Sequence, residues 1–593
     1  MRRRSFLAGA AMVPTWSLAS PPAQAAGFRR VRPGEPRWPT EARWAELNWV
    51  VGGALVKPVS PVAACHTTSV ADCFKLLRNP IFLGDQPGGT QLMGWLDAWT
   101  AQPSAYAVAA RNAADVAAAV DFARRHDLRL VIKGGGHSYQ GTSNAADSLL
   151  VWTRAMRRIE LHDAFIPQGC GGRQAPQPAA SVDAGAMWID AYDAVTTKAG
   201  RYVQGGGCTT VGVAGHVQSG GFGSFSKGFG MAAAGLLEAE VVTADGVVRI
   251  ANACRNPDLF WALKGGGGGG FGVVTRLTLR THELPRTFGW AELDIKAASD
   301  DAYRRLIDRF MAFYGEALFN PHWGEQARVK GDNVLHIRMV SQGLDGAEAR
   351  EVWLPFLTWV AASPQDFALS GAVQIGAAPA RGWWDAEGRS KLGDKAMVVD
   401  DRPGAPAAHA WWRGDQDQAS GFLHGYESVW LPEALLRPDR RGRLSEALFA
   451  ASRSMDVELH FNKGLAGAPA QAIRQAANTA TNPAVLTAFA LAITATGGNP
   501  PLPWLPRPDP AGGRRNAAAV DRAAAELKKV APEAGSYVSE SNYFNADWKH
   551  AFWGRNYARL RAIKDRYDPT GLFFAHHGVG SEDWSPDGFT RLA

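Results

Sequence analysis

The chain has 593 residues, 46% of them hydrophobic and 20% charged, the balance of an ordinary globular protein of two or three domains. Its formal net charge is +7, with three of the cations at Arg2, Arg3 and Arg4, and no basic run of the kind that tracks phosphates remains, so no nucleic-acid partner is expected. Five cysteines, an odd number with no Cys-x-x-Cys pair, argue against a zinc framework and leave at least one thiol for another use.

The chain opens Met1-Arg2-Arg3-Arg4-Ser5-Phe6-Leu7. Paired arginines, a spacer and Phe-Leu form the twin-arginine export pattern, and Ala23-Gln24-Ala25 offers a small-x-small cleavage site. Residues 1–25 are therefore expected to be a signal peptide and the mature protein periplasmic or secreted. Pro14, Pro21 and Pro22 interrupt the apolar run, so no membrane insertion is expected. Twin-arginine export carries folded proteins and suits an enzyme that must load a cofactor first. In an oxidising compartment Cys65 and Cys73, close in sequence, are candidates to pair.

Residues 26–100, rich in Pro, Gly and Trp, read as an N-terminal extension. Regular periodicity begins with a helix running to about His126, capped by Asn112. The strand Leu128–Ile132 leads into a glycine loop, Lys133 to Tyr139. A helix at about Trp188–Ala199 precedes a second glycine-rich stretch, Gly205–Gly230. Ala239–Thr243, the turn Ala244-Asp245-Gly246 and Val247–Ile250 read as a hairpin. A short helix, Asn256–Lys264, six glycines and a strand, Phe271–Leu279, follow. From Leu284 to Val530 the glycine clusters fade and helical and strand-like segments alternate, as in a second domain inserted into the first. Asp547–Tyr567 then reads as one helix with Trp553, Tyr557, Leu560 and Ile563 on a single stripe.

Gly265, Gly267 and Gly270 spell G-x-G-x-x-G, but here a helix precedes the glycines and a strand follows. That is the reverse of the nicotinamide-binding fingerprint. No P-loop and no His-Glu-x-x-His is present. The three glycine clusters are either tight turns or cradles of backbone N–H groups that admit a pyrophosphate.

At these residues the chain resembles the berberine-bridge-type FAD-linked oxidases of the vanillyl-alcohol-oxidase superfamily. The likeness is carried by Lys133-Gly134-Gly135-Gly136-His137-Ser138-Tyr139 and by Gly207-Cys208-Thr209-Thr210-Val211-Gly212-Val213-Ala214-Gly215-His216, running on to Gly220-Gly221-Phe222-Gly223. It continues through Asp258–Lys264 to Gly272 and Val273, and returns at Trp553–Tyr557 and Tyr567–Phe573. The resemblance implies an α+β fold. A two-part PCMH-type FAD-binding domain, 101–283 completed by 531–593, would carry an inserted substrate-binding domain at 284–530, an antiparallel sheet backed by helices. It also implies FAD bound covalently twice, as 8α-histidyl at His137 and 6-S-cysteinyl at Cys208. Further cofactor contacts fall on Lys133, Gly134, Gly135, Gly136, Ser138, Val211, Gly212, Gly215, His216, Gly220, Gly272 and Val273. Thr209 stands where proline is usual, Gly270 where asparagine or serine is common, and Lys133 where arginine is frequent.

Oxidising an alcohol needs a base for the hydroxyl proton. Tyr537-Val538-Ser539-Glu540 stands where the family has Tyr-x-Asn-Tyr, which makes Tyr537 and Glu540 the candidates. A tyrosine titrates near 10, so Tyr537 would need a cationic neighbour or the flavin to act near neutrality. Val211 resembles the residue of family members that admit O2 to reduced flavin, so an oxidase releasing H2O2 is expected. The expected substrate is a small hydroxylated molecule or an oligosaccharide. A dehydrogenase using another acceptor, and a flavin-binding protein with a decayed site, are the alternatives. His576 and His577 are adjacent but have no evident third ligand, and no metal is expected.

Overall fold

The computed structural model describes residues 27–64, 69–391, 394–500, 502, 504–506 and 508–592. The segment expected to be an export signal, residues 1–25, and Cys65 lie outside them. Cys73 is disulfide-bonded.

Two sheets build the first domain. In one, Ser148–Trp152 lies between Tyr106–Ala109 and Arg129–Lys133 and runs parallel to both, with Leu55–Val56 added antiparallel at the edge. Parallel neighbours need a crossover, and the helix Ala113–Arg125 supplies one. Asn112 caps it by accepting the Asp115 amide at 2.9 Å. Its Val116, Ala119, Val120 and Ala123, at helical spacing, are all buried. The second sheet runs in the order Val248–Asn252, Leu236–Val242, Val273–Glu283, Gln177–Asp183 and Ile159–Phe165. The expected hairpin is its first pair, with Val242 opposite Val248. A disulfide joins Cys170 to Cys254 across the loops that follow the two edge strands.

The inserted domain is one large, mostly antiparallel sheet with helices on one face. Its central strands include Thr287–Ala297, Val334–Gln342, Trp323–Val329, Val457–His460, Ala488–Gly498 and Gly421–Pro432. In Val334–Gln342 burial alternates residue by residue, so Leu335, Ile337 and Met339 face one way. There they meet Tyr303, Leu306, Ile307 and Phe310 of the helix Asp300–Phe313. The opposite face carries Phe288, Trp290 and Val340, which pack on the core of the first domain.

Three sequence expectations change. Residues 92–100 are no appendage: Leu92–Trp95 pairs in parallel with Gly421–Pro432, and Trp99–Thr100 adds the next strand. The helix expected over Trp188–Ala199 is a short α-helix, Trp188–Tyr192, that widens into a π-turn, Asp193–Lys198. The helix expected over Asp547–Tyr567 is two helices, Trp548–Trp553 and Tyr557–Tyr567, broken where Gly554 takes φ 51°. No described helix is long and apolar enough to cross a membrane.

Candidate active site

A cavity opens where four distant segments meet. Its walls are the loop 134–143 that follows Arg129–Lys133, the turn and helix at 208–219, the glycine loop 266–272, and the C-terminal stretch 573–579. The last is held in place by a parallel bridge from Phe573 to Leu130. A buried ion pair fastens it further. Lys564 Nζ donates to Asp568, Gly270 O and Phe573 O, each at 2.6 Å, and Asp568 accepts the amides of Leu572 and Phe573.

The glycines here serve two different purposes. Gly135 and Gly212 let two loops touch, since a Cβ at Gly135 would lie 2.8 Å from Gly212 N. By contrast, a Cβ at Gly215 would meet nothing within 4 Å, and one at Gly268 or Gly270 nothing nearer than 3.6 Å. The protein's own packing does not require glycine at those three positions. They keep main chain exposed to a cavity with no Lys or Arg among its described lining residues. Such a wall offers peptide N–H groups to a phosphate, while Leu130, Ile132, Val274, Phe573 and Phe574 give it apolar surface. The donor set fits a dinucleotide with a flat aromatic end.

His137 and Cys208 line this one cavity. His137 Nε2 lies 3.1 Å from the Thr210 hydroxyl, and burial pushes the imidazole down to about 4, keeping it neutral. Cys208 is a free thiol whose Sγ donates to Asp415 Oδ1 at 3.2 Å. Burial first, then Asp415, push this thiol well above its ordinary range. Burial likewise pushes Asp415 up to about 7, and its Oδ2 is buried without a hydrogen-bond partner among the described residues.

Gly134, Gly135, Gly136, Ser138, Val211, Gly212, Gly215, His216 and Gly272 also line the cavity. His216 has both ring nitrogens engaged, Nδ1 by Trp188 Nε1 at 3.1 Å and Nε2 by Phe222 O at 3.0 Å, so its part is to hold the wall. Lys133, Gly220 and Val273 are not in the lining. The resemblance puts Lys133 on the cofactor, but its ammonium is fully buried against the carbonyls of Gln86, Pro87 and Gly89 and ties that loop down. Gly220 packs on Thr481, and Val273 opens a buried strand.

The two candidate bases differ. Tyr537 is only 6% exposed, packs edge-on against Phe222 and accepts the Gly221 amide at 3.3 Å. Burial, and then Glu540, push its hydroxyl well above the usual range, and its ring is not in the cavity wall, although Val538 and Ser539 are. Glu540 pairs with Lys463. Burial alone would raise Glu540, but Lys463 and His460 outweigh it and hold the carboxylate below its ordinary range.

Nothing in the sequence marks Asp415, Lys463 or Glu325, all from the inserted domain. Glu325 takes φ +65° within the strand Trp323–Val329, and its Oε1 lies 3.4 Å from Asn462 Nδ2. A backbone held there costs of order 1–3 kcal/mol and is commonest at functional sites.

Residues 104–252 match the FAD binding domain family, and residues 527–580 the family described as berberine and berberine like. The chain is 29% identical over 591 residues to the VAO-type flavoprotein oxidase VAO615 of Thermothelomyces thermophilus, covering 95% of each chain. The solved VAO-type flavoprotein MtVAO615 from Myceliophthora thermophila C1 superposes with a TM-score of 0.77 at 26% identity, over 95% of this chain and 100% of that one. The glucooligosaccharide oxidase of Acremonium strictum, described with a 6-S-cysteinyl, 8α-N1-histidyl FAD, shares the fold, with a TM-score of 0.60 at 19% identity over 81% of this chain and 92% of that one. With both family segments walling the cavity that the glycine loops build, the chain is an FAD-linked oxidoreductase similar to the berberine-like, VAO-type oxidases.

Proposed function

We propose that the protein is an oxidase that carries FAD on His137 and Cys208, takes a hydride from a hydroxylated substrate such as a carbohydrate, and returns the electrons to O2 as H2O2. The observation that carries this is the convergence of a neutral imidazole and a free thiol on one glycine-walled cavity. Thr210 engages His137 Nε2, which favours Nδ1 as the bonding nitrogen. The Acremonium strictum enzyme is described with the same pair of link types.

Bound FAD would supply the two-electron acceptor. The 134–136 and 266–270 loops would hold its phosphates through main-chain N–H groups. Tyr139, whose hydroxyl donates to Gln418 Oε1 at 2.9 Å, packs at a tilt against Tyr426 and would form a wall for a ring-shaped substrate. Neither candidate base is in the cavity lining; of the two, Glu540 is the ionised one and is assigned the hydroxyl proton, while Tyr537 stays protonated and positions the segment. Val211 in the cavity wall supports access by O2. The 1–25 segment would direct the folded, loaded enzyme to the periplasm or outside the cell.

The test is the mass and visible absorption of the acid-denatured mature protein beside His137→Ala and Cys208→Ala. A yellow polypeptide heavier by one FAD, with each single variant still tethered and the double variant bare, is expected. Peroxide release with oligosaccharides under air then separates an oxidase from a dehydrogenase, whose reduced flavin reoxidises slowly.

A further inference from the structure

We propose that Asp415 is the base that activates Cys208 for its attachment to the flavin, an inference that rests on the two-link reading above. The two groups meet from different domains. Cys208 follows the glycine turn of the first domain, and Asp415 sits on the 3-10 turn Arg413–Asp417 of the inserted one. That turn is pinned over the thiol by two hydrogen bonds, Thr209 Oγ1 to Ala410 O at 2.9 Å and Trp412 Nε1 to Gly207 O at 3.1 Å. The hydrogen bond from Sγ to Asp415 Oδ1 already points the thiol proton at the carboxylate. The second oxygen, Oδ2, is buried and has no hydrogen-bond partner among the described residues. The carboxylate also faces the Thr209 backbone N–H, and an unsatisfied buried carboxylate oxygen is costly to keep.

The chemistry requires such a base. Only the thiolate is nucleophilic, and this thiol is held protonated by burial and by its acidic surroundings. Glu325 from its strand and Asp415 itself disfavour the thiolate, Lys463 alone favours it, and Tyr139, Tyr192 and Tyr426 are the other titratable groups facing Cys208. In the proposed step the S–H bond breaks and the proton passes to Asp415. The sulfur electron pair forms the bond to flavin carbon six, and that carbon's hydrogen leaves as a second proton. The two electrons left on the ring pass to O2, so Cys–SH, FAD and O2 become the thioether and H2O2. Asp415 returns its proton to water.

Peptide mass mapping of the purified full-length chain reads the two links separately. Wild type should carry flavin on both the His137 and the Cys208 peptides. Asp415→Asn should keep the His137 adduct, which reports a folded and loaded chain, and lose at least about tenfold of the Cys208 adduct. Asp415→Glu should restore most of it. A second readout needs no variant. With flavin-depleted wild type reloaded with FAD under air, the rate of Cys208 attachment should level off above about pH 8, once the carboxylate is ionised. An unassisted thiol would instead gain about tenfold per pH unit up to its own pKa. A Cys208 adduct formed by Asp415→Asn at the wild-type rate overturns the proposal and leaves Asp415 to the substrate side. A wild-type rate that keeps climbing tenfold per unit also overturns it. A wild-type chain bare at both peptides overturns the two-link reading beneath it.

Discussion

Replacing Asp568 by alanine should loosen one wall of the cavity by a calculable amount. The carboxylate is fully buried and accepts three bonds, from Lys564 Nζ at 2.6 Å and from the Leu572 and Phe573 amides at 2.7 and 2.9 Å. Without it, a buried ammonium keeps two carbonyls but no counter-charge, and two buried amides lose their acceptor. Removing one partner of a buried pair costs roughly 3–5 kcal/mol. At about 1.4 kcal/mol per tenfold, amide protection around 572–573 should fall roughly a hundredfold to a few thousandfold. Hydrogen exchange of peptides spanning 568–579 reads this directly, with the remote helix Asp300–Phe313 as internal control. Lys564→Met combined with Asp568→Leu removes both charges and should recover much of the loss. Protection within tenfold of wild type in Asp568→Ala, or a double variant no better than the single one, would refute the reasoning.

Gly215→Ala should hold or raise the thermal midpoint of cofactor-free protein, since it lies in the helix Val213–Gln218 and its Cβ meets only the cavity, and should lower FAD content; Gly135→Ala, with its Cβ 2.8 Å from Gly212 N, should lower both, as a melt and an absorbance ratio will show. Replacing Cys170 and Cys254 by serine opens a link of sequence separation 84 and, on the chain-entropy account, should cost roughly 4–5 kcal/mol, read as a lower urea midpoint. Glu540 is held below its unfolded value of 4.5, so its pairing stabilises the fold above that pH and is lost as pH falls through the lower folded value. The thermal midpoint of wild type should therefore drop on acidification below about pH 4.5, and Lys463→Met should flatten or reverse that slope.

What was legible in the sequence was what short stretches of chain decide alone. Close approach of two backbones demands glycine, so the stretches at 133–137 and 205–223 announced themselves and brought His137 and Cys208 with them. Helical spacing exposed Ala113–Arg125, and a turn between apolar runs exposed the hairpin at 236–252. The rest depends on partners remote in sequence. The pairing of Leu92–Trp95 with Gly421–Pro432 is a long-range parallel contact that leaves no local signature. Lys133 looks like a phosphate ligand until the carbonyls at 86–89 are in place to claim it. Asp415 is an unremarked acid in a loop until the inserted domain folds back over Cys208. Gly554 sits inside an unbroken apolar stripe, and only its positive φ shows that the stripe belongs to two helices.

The wall formed by residues 573–579 also sets a timetable. A chain still on the ribosome displays His137 and Cys208 on an unfinished surface, because the segment that faces Leu130 has yet to be made. Completion of the cavity is thereby deferred to the finished polypeptide. A chain ending before residue 572 lacks one wall of the cavity, whatever the state of His137 and Cys208.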